Sequence, residues 1–330
     1  MPHLPKEEIE KVRQVKSKGN EAVFLRKKHV VGVGIGVKIK DGKPTGKPAL
    51  ITYVTSKKPL STLEADDVIP ETVDGVETDV IEIGMPTIQP VLKEKEFLRT
   101  LPSNELTSRM RPVKGGWSVG HYDITAGTIG AVVFNKDKHI PSTYYILSNN
   151  HVLANSNAGS IGDPILQPGP IDGGEAPHDQ IAKLSRFVPI DFTPDKPLEE
   201  HNNLVDAAIA EGSLQELDRE VYWNGYVKGW KAKDDLEVGT IVKKTGRTTG
   251  YTTAEITSVD ATIDVNFGGN RVARFHDQVL TTHFSEGGDS GSLVTNENNE
   301  AIGLLFAGSP EITILNHIEN VRDLLRIDFV

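Results

Sequence analysis

Gly288-Asp289-Ser290-Gly291-Ser292 is the stretch on which the reading of this chain turns. Gly288 and Gly291 flank Ser290 and permit a tight turn that a Cβ would obstruct. Such a turn can aim the backbone N–H groups of Gly288 and Ser290 at the oxygen of a carbonyl under attack. One donor of this kind lowers an acyl-transfer barrier by about 3 kcal/mol. Gly-Asp-Ser-Gly also occurs in ordinary surface turns, so the pentapeptide gains weight only from what precedes it.

Two upstream residues supply that weight. His151 ends the run Tyr144-Tyr145-Ile146-Leu147-Ser148-Asn149-Asn150, which places it just past a buried strand, on the rigid mount a general base needs. Asp206 lies inside Leu204-Val205-Asp206-Ala207-Ala208-Ile209-Ala210. A carboxylate in such an apolar run costs several kcal/mol to bury unless it is paired, and an imidazole Nδ1–H is a natural partner. Read singly, each has a plain alternative: a turn serine, a strand-end histidine and a capping aspartate. The order His, Asp, Ser excludes the Asp, His, Ser order of subtilisin-like enzymes and the Ser, Asp, His order of α/β-hydrolases.

From about Trp117 onwards the chain resembles a trypsin/chymotrypsin-like serine peptidase. Leu147 to His151 corresponds to that family's histidine segment, Asp206 to Ala210 to its aspartate segment, and Gly288 to Ser292 to its nucleophile loop. Thr245-Gly246-Arg247-Thr248-Thr249-Gly250 and Gly303-Leu304-Leu305-Phe306-Ala307-Gly308 match strands of its second barrel. The whole chain is similar to bacterial members with an N-terminal extension and to plant narrow-leaf type proteins. The resemblance implies a mainly β fold of two six-stranded chymotrypsin-like β-barrels, closed by a C-terminal helix over Ile318, Val321, Leu324 and Leu325. It implies a serine endopeptidase with catalytic His151, Asp206 and Ser290, and with Gly288 and Ser290 amides as the oxyanion hole. Phe284 and Ser285 would form the base of the substrate pocket, and Phe306, Ala307 and Gly308 its far wall. With no carboxylate at its base, that pocket would not favour a basic side chain. Asn149 and Asn150 depart from the small pair usual before the histidine, and no new N-terminus is implied as a partner for Asp289. A silent peptide-binding or scaffold protein, and a self-processing protein that cuts once, stand as alternatives.

Composition fits this reading. The 330 residues are 37% hydrophobic and 25% charged, as in an ordinary globular protein long enough for more than one core. A net charge of −10 argues against nucleic acid or an anionic membrane as the main partner. The expected partner is a protein or peptide substrate, with no cofactor and no metal. No apolar stretch approaches the ~18 residues of a spanning helix. Met1 to Phe24 is rich in Lys, Glu and Arg and lacks the apolar centre of a signal peptide. With zero cysteine as well, a cytoplasmic location is expected.

Residues 1–90 are expected to form a small α+β domain. Ile9, Val12 and Val15, then Ala22, Val23 and Leu25, suggest a short amphipathic helix or two. Val31, Val33, Ile35, Val37 and Ile39 alternate with Gly32, Gly34 and Gly36, the pattern of a strand approached closely by another element. Because that alternation runs on without yielding to a helix, the stretch is not a dinucleotide fingerprint. Strands are expected over 49–54 and 76–83, and a helical turn over 61–67 capped by Ser61. Residues 86–116, with four prolines, lack a sustained period; 91–116 is expected to be a linker, or a strap across the peptidase domain 117–330. Within that domain strands are expected at 128–134, 144–148, 239–245, 253–259, 261–267 and 272–275. The loop 159–174 and its continuation to Asp179 carry Asp163, Asp172 and His178, and are expected to be solvated rather than to hold calcium.

Overall fold

Short apolar runs separated by Gly, Pro and Asp turns roll into two antiparallel barrels. The computed structural model describes residues 4–88, 105–137 and 143–329. In the first barrel Ala131–Asn135 lies beside Tyr144–Ser148, followed in space by Ala208–Gly212, Gln180–Phe187, Pro164–Leu166 and Ser118–His121. Ser118–His121 pairs in turn with Gly127–Thr128, which runs through Ile129 and Gly130 into Ala131–Asn135. Counting that bent stretch once, the ring has six strands. The second barrel orders Ile241–Gly246, Leu293–Asn296, Glu300–Gly308, Ile312–His317, Val272–Thr282 and Gly250–Asn266, and the first pairs with the last to close it. The mainly β, two-barrel architecture is therefore present, and the helix Ile318–Leu325 packs Ile318, Val321 and Leu325 inward.

Several boundaries differ from the sequence reading. The strands expected at 253–259 and 261–267 are one strand, Gly250–Asn266, that bends at Asp260, where φ is 50° and the register shifts. Its partner continues past Phe275 to Thr282 because the long strand offers it edge bonds that far. In place of one helical turn capped by Ser61 there are two 3-10 turns, Leu60–Thr62 and Ala65–Asp67, preceded by Pro59 and Glu64. The extended backbone of Leu63 and Glu64 separates them.

The N-terminal region joins the second barrel edge to edge. Val30–Lys40 pairs antiparallel with Gly250–Asn266, placing Gly36 opposite Ser258 and Gly32 opposite Ile263. Lys43–Val54 adds to its other side, and Val76–Glu82 pairs in parallel beyond that. A Cβ on Gly34 would stand 2.6 Å from Ser258 Oγ, so the bare backbone face is a requirement of the junction. Val33, Ile35, Val37 and Leu50 share one hydrophobic cluster with Ile256, Val279, Val294 and Leu315. The described residues 4–88 thus share their buried clusters with the barrel. The helices Lys6–Val15 and Glu21–Leu25 bury Ile9, Val12, Val15 and Phe24. Val23 is left 51% exposed, because Gly19 at φ 100° breaks the helical phase before the second helix begins.

Of residues 86–116, the two described ends are pinned to different barrels. Thr87 bonds to Gly308 in the second. Val113–Gly115 pairs in parallel with Leu217–Val221, and Leu106 and Val113 are buried in the cluster of the first. The rest of the expected linker or strap lies outside the described residues.

Candidate active site

His151 lies in a single turn of helix, Asn150–Leu153, directly after the strand Tyr144–Ser148. Asp206 lies two residues before the neighbouring strand Ala208–Gly212, so strand pairing brings together two residues 55 positions apart. One Asp206 oxygen accepts the backbone N–H of His151 at 3.0 Å, and the other lies 2.5 Å from His151 Nδ1. The Asp206 side chain is fully buried and that of His151 is 12% exposed. With Nδ1 held on the carboxylate, the accepting lone pair of a neutral imidazole is at Nε2.

The two asparagines before His151 build the mount. Asn149 Nδ2 donates to the Asp206 carbonyl at 2.7 Å, tying the histidine turn to the aspartate strand. Asn150 Nδ2 donates to Val188 O and to Asn157 Oδ1, each at 2.7 Å. From the second barrel, Asn316 Oδ1 accepts the Asp206 N–H at 2.9 Å, and Gln278 in turn holds Asn316.

The Ser290 loop is gripped by Thr128 of the first barrel. Thr128 N donates to Ser290 O and Thr128 Oγ1 to Gly288 O, both at 2.8 Å. The Thr128 carbonyl accepts Ser148 Oγ at 2.7 Å, so the serine loop and the strand leading to His151 meet on one residue. Gly291, at φ +95°, packs so tightly there that a Cβ would stand 2.0 Å from Ser148 Oγ. Ser290 Oγ donates to the Phe306 carbonyl at 3.5 Å. The N–H groups of Glu286, Asp289, Gly291 and Ser292 are all engaged within the protein. Those of Gly288 and Ser290 donate to no acceptor among the described residues.

Two buried ion pairs brace this loop, and sequence reasoning missed the basic partner of each. Asp289 accepts from Lys244 Nζ at 3.2 Å, Thr249 Oγ1 at 2.6 Å and the N–H groups of Thr248 and Glu286. Both charged side chains are fully buried. Burial pulls the Lys244 ammonium below the ordinary lysine value, against the opposing pull of Asp289. Asp172, expected in a solvated loop, instead forms a two-pronged pair with Arg247, and Ser118 Oγ also donates to it. Its side chain is only 7% exposed, because the guanidinium and hydroxyl replace the water it would need. Gly288, at φ +98°, rests on that guanidinium: a Cβ there would meet Arg247 Cδ at 2.8 Å and Thr248 Oγ1 at 2.5 Å. A lysine two residues before Gly246, inside a strand, was the one available signal.

The expected pocket residues have mixed roles. Phe284 is buried, with Lys244 Nζ 5.8 Å from its ring centroid, and Ser285 Oγ lies 2.8 Å from Thr313 Oγ1. The Phe306 ring belongs to the core, packed on Phe275 with centroids 4.8 Å apart, so Phe306 offers Ser290 its carbonyl rather than its side chain. Ala307 is buried, and Gly308 is bonded to Thr87. His151 and Phe267 form a T-shaped ring pair, centroids 6.3 Å apart. No group of metal-ligating side chains occurs among the described residues.

No family model matches the chain. No curated protein matches it either. Among solved structures it is similar to Thermobifida fusca Protease A, at 17% identity and TM-score 0.45, covering 66% of this chain and 98% of that one. A Nocardiopsis protease is 19% identical, with TM-score 0.44 and coverage of 65% and 97%. A glutamic acid-specific serine protease that uses a histidine triad in substrate binding is 19% identical, with TM-score 0.45 and coverage of 66% and 100%.

Proposed function

We propose that this chain is a serine endopeptidase that hydrolyses peptide bonds through an acyl-enzyme. The observations that carry this reading are the two-point grip of Asp206 on His151 and a serine loop whose Gly288 and Ser290 amides donate to no acceptor among the described residues. Ser290 Oγ attacks the scissile carbonyl while His151 Nε2 takes its proton and later delivers it to the leaving amine. Asp206 holds the imidazole in the tautomer with Nδ1 protonated and stabilises the imidazolium. The oxyanion is received by the Gly288 and Ser290 amides. Asp289 and Lys244 hold the shape of the loop, and Asp172 with Arg247 supports Gly288 from below. No helix of the described residues is long and apolar enough to cross a membrane. Absence of cysteine suits a reducing cytoplasm.

The test is treatment of the purified chain with a fluorophosphonate, followed by intact-mass measurement. One adduct per chain, lost in Ser290→Ala, is expected. No adduct would overturn the peptidase reading in favour of a silent peptide-binding protein. A chain already shortened before treatment would favour self-processing.

A further inference from the structure

The strand that passes Ser290 has its remaining edge occupied by the chain itself. Glu300–Gly308 pairs on one side with Ile312–His317. On the other side Leu293–Asn296 reaches no further than Leu304. Beyond that point Gly308 exchanges both backbone bonds with Thr87: Thr87 N–H donates to Gly308 O at 2.9 Å, and Gly308 N–H to Thr87 O at 3.0 Å. The opposite side of the same segment is bound to Asn266, whose N–H donates to Pro86 O at 2.9 Å and whose carbonyl accepts Ile88 N–H at 3.2 Å. Residues 86–88 therefore lie as an extra strand between the ends of two barrel strands. Met85 and Ile88 pack on the cluster that contains Phe267, Phe306 and Ala307.

That edge leads to the nucleophile. Residues two apart in a strand present their backbone groups to the same side. Phe306 stands two residues before Gly308, and its carbonyl accepts Ser290 Oγ. An extended peptide adds to an exposed strand edge through its own backbone bonds. A peptide laid along this edge with its scissile bond at Ser290 needs the Gly308 rung, and Thr87 already holds it.

We propose that Pro86–Ile88 is a built-in competitor for the substrate-binding edge, and that its release from Gly308 controls access of extended peptides to Ser290. This rests on the serine peptidase reading. The regulated substrates are peptides with at least three residues on the acyl side of the scissile bond, long enough to reach Gly308. Small acylating agents that need only Ser290 are indifferent to the segment.

Thr87→Pro removes one donor, and Ile88→Asp removes the packing that seats the segment. The readouts are KM for a casein-derived hexapeptide, hydrolysis of an N-acetyl amino acid ester, and the rate of fluorophosphonate labelling, all in the full-length chain, with Tm recorded for each variant. Hexapeptide KM is expected to fall by about tenfold, the effect of one hydrogen bond of ordinary strength, while ester hydrolysis and labelling stay unchanged. An unchanged or raised hexapeptide KM overturns the proposal, as does an equal change for ester and hexapeptide, which would mean general loosening. Should either variant fail to fold, hydrogen exchange at Thr87 in the Ser290→Ala chain decides the matter: exchange must speed up when saturating hexapeptide is added, and no change overturns the proposal. Absence of Ser290 labelling in the unaltered chain fails the peptidase reading itself, and the proposal falls with it.

Discussion

The two barrels solve closure differently, and the difference shows in the site each half contributes. The first barrel closes through a bent stretch of its own chain at Ile129 and Gly130, and it supplies His151 and Asp206 at the ends of adjacent strands. Their geometry follows from one strand pairing, one pair of asparagines and a single hydrogen bond to Asn316 of the second barrel. The second barrel closes by pairing Ile241–Gly246 with Gly250–Asn266, and then grows outward through Val30–Lys40. It supplies Ser290 on a turn whose shape depends on charges buried behind it and on contacts from the other barrel. The histidine–aspartate pair thus rests mainly on one strand pairing, whereas the Ser290 turn draws support from several distant places.

The largest expected effect tests the local half. Asp206→Asn keeps the hydrogen-bonding outline but favours the wrong imidazole tautomer, so kcat should fall by about 10⁴ with little change in KM. Steady-state kinetics on a casein peptide would measure it, and a loss below tenfold would show that His151 is not held through Asp206.

The distant half is tested by Lys244→Met, which leaves Asp289 buried without its cation. A loss of about 3–5 kcal/mol in urea unfolding is expected. The double variant Lys244→Met/Asp289→Asn should recover part of that loss, since the stranded charge is gone. No recovery would mean that Lys244 acts through its packing on Phe284 rather than through its charge.

A pH effect separates the barrels further. Burial pulls the His317 imidazole down to about 4, with Asp277 opposing and Lys233 adding to the shift. Between that value and the ordinary 6.5 the unfolded chain binds more protons than the folded one, so stability rises with pH across this window. It is complete above about 6.5 and lost as pH falls towards 4, by about 3 kcal/mol in total. His317 also caps the C-terminal helix by accepting the Glu319 N–H at 3.1 Å. His317→Asn keeps a good cap while removing the titration. The urea midpoint of this variant should therefore be flatter between pH 6.5 and 4 than that of the unaltered chain. An equal slope would place the dependence elsewhere.

The smallest expected effect probes the junction between the N-terminal strands and the second barrel. Gly34→Ala puts a methyl against Ser258 and should cost about 1–3 kcal/mol. Hydrogen exchange should quicken at Ala261 and Ile263 and stay unchanged at Ala208 and Ala210. Uniform acceleration would show the two barrels to be one cooperative unit.

The parts of the site legible in the sequence share one property. His151, Asp206 and Ser290 each sit in a local pattern, a strand end, an apolar run or a glycine turn, that states its own environment within ten residues. The two asparagines before His151 were visible as departures, but their roles depend on the Asp206 carbonyl and on Val188, which local pattern does not reach. The strand period of Val31 to Ile39 and the need for close approach at its glycines were equally plain. The sequence could not say that the approaching element is Gly250–Asn266, more than two hundred residues away.

By itself the sequence determined the order of the candidate residues His151, Asp206 and Ser290 and the short alternating strands around them. Tertiary structure alone decided what neutralises Asp289 and Asp172, that the N-terminal strands belong to the second barrel, and that Thr87 lies on Gly308. The physical reason is range. Periodicity and turn chemistry act over a few residues and leave their mark on every segment. Burial of a charge, or occupation of a strand edge, depends on whichever distant group the fold delivers, and a lysine or a threonine looks the same in sequence whether or not it arrives.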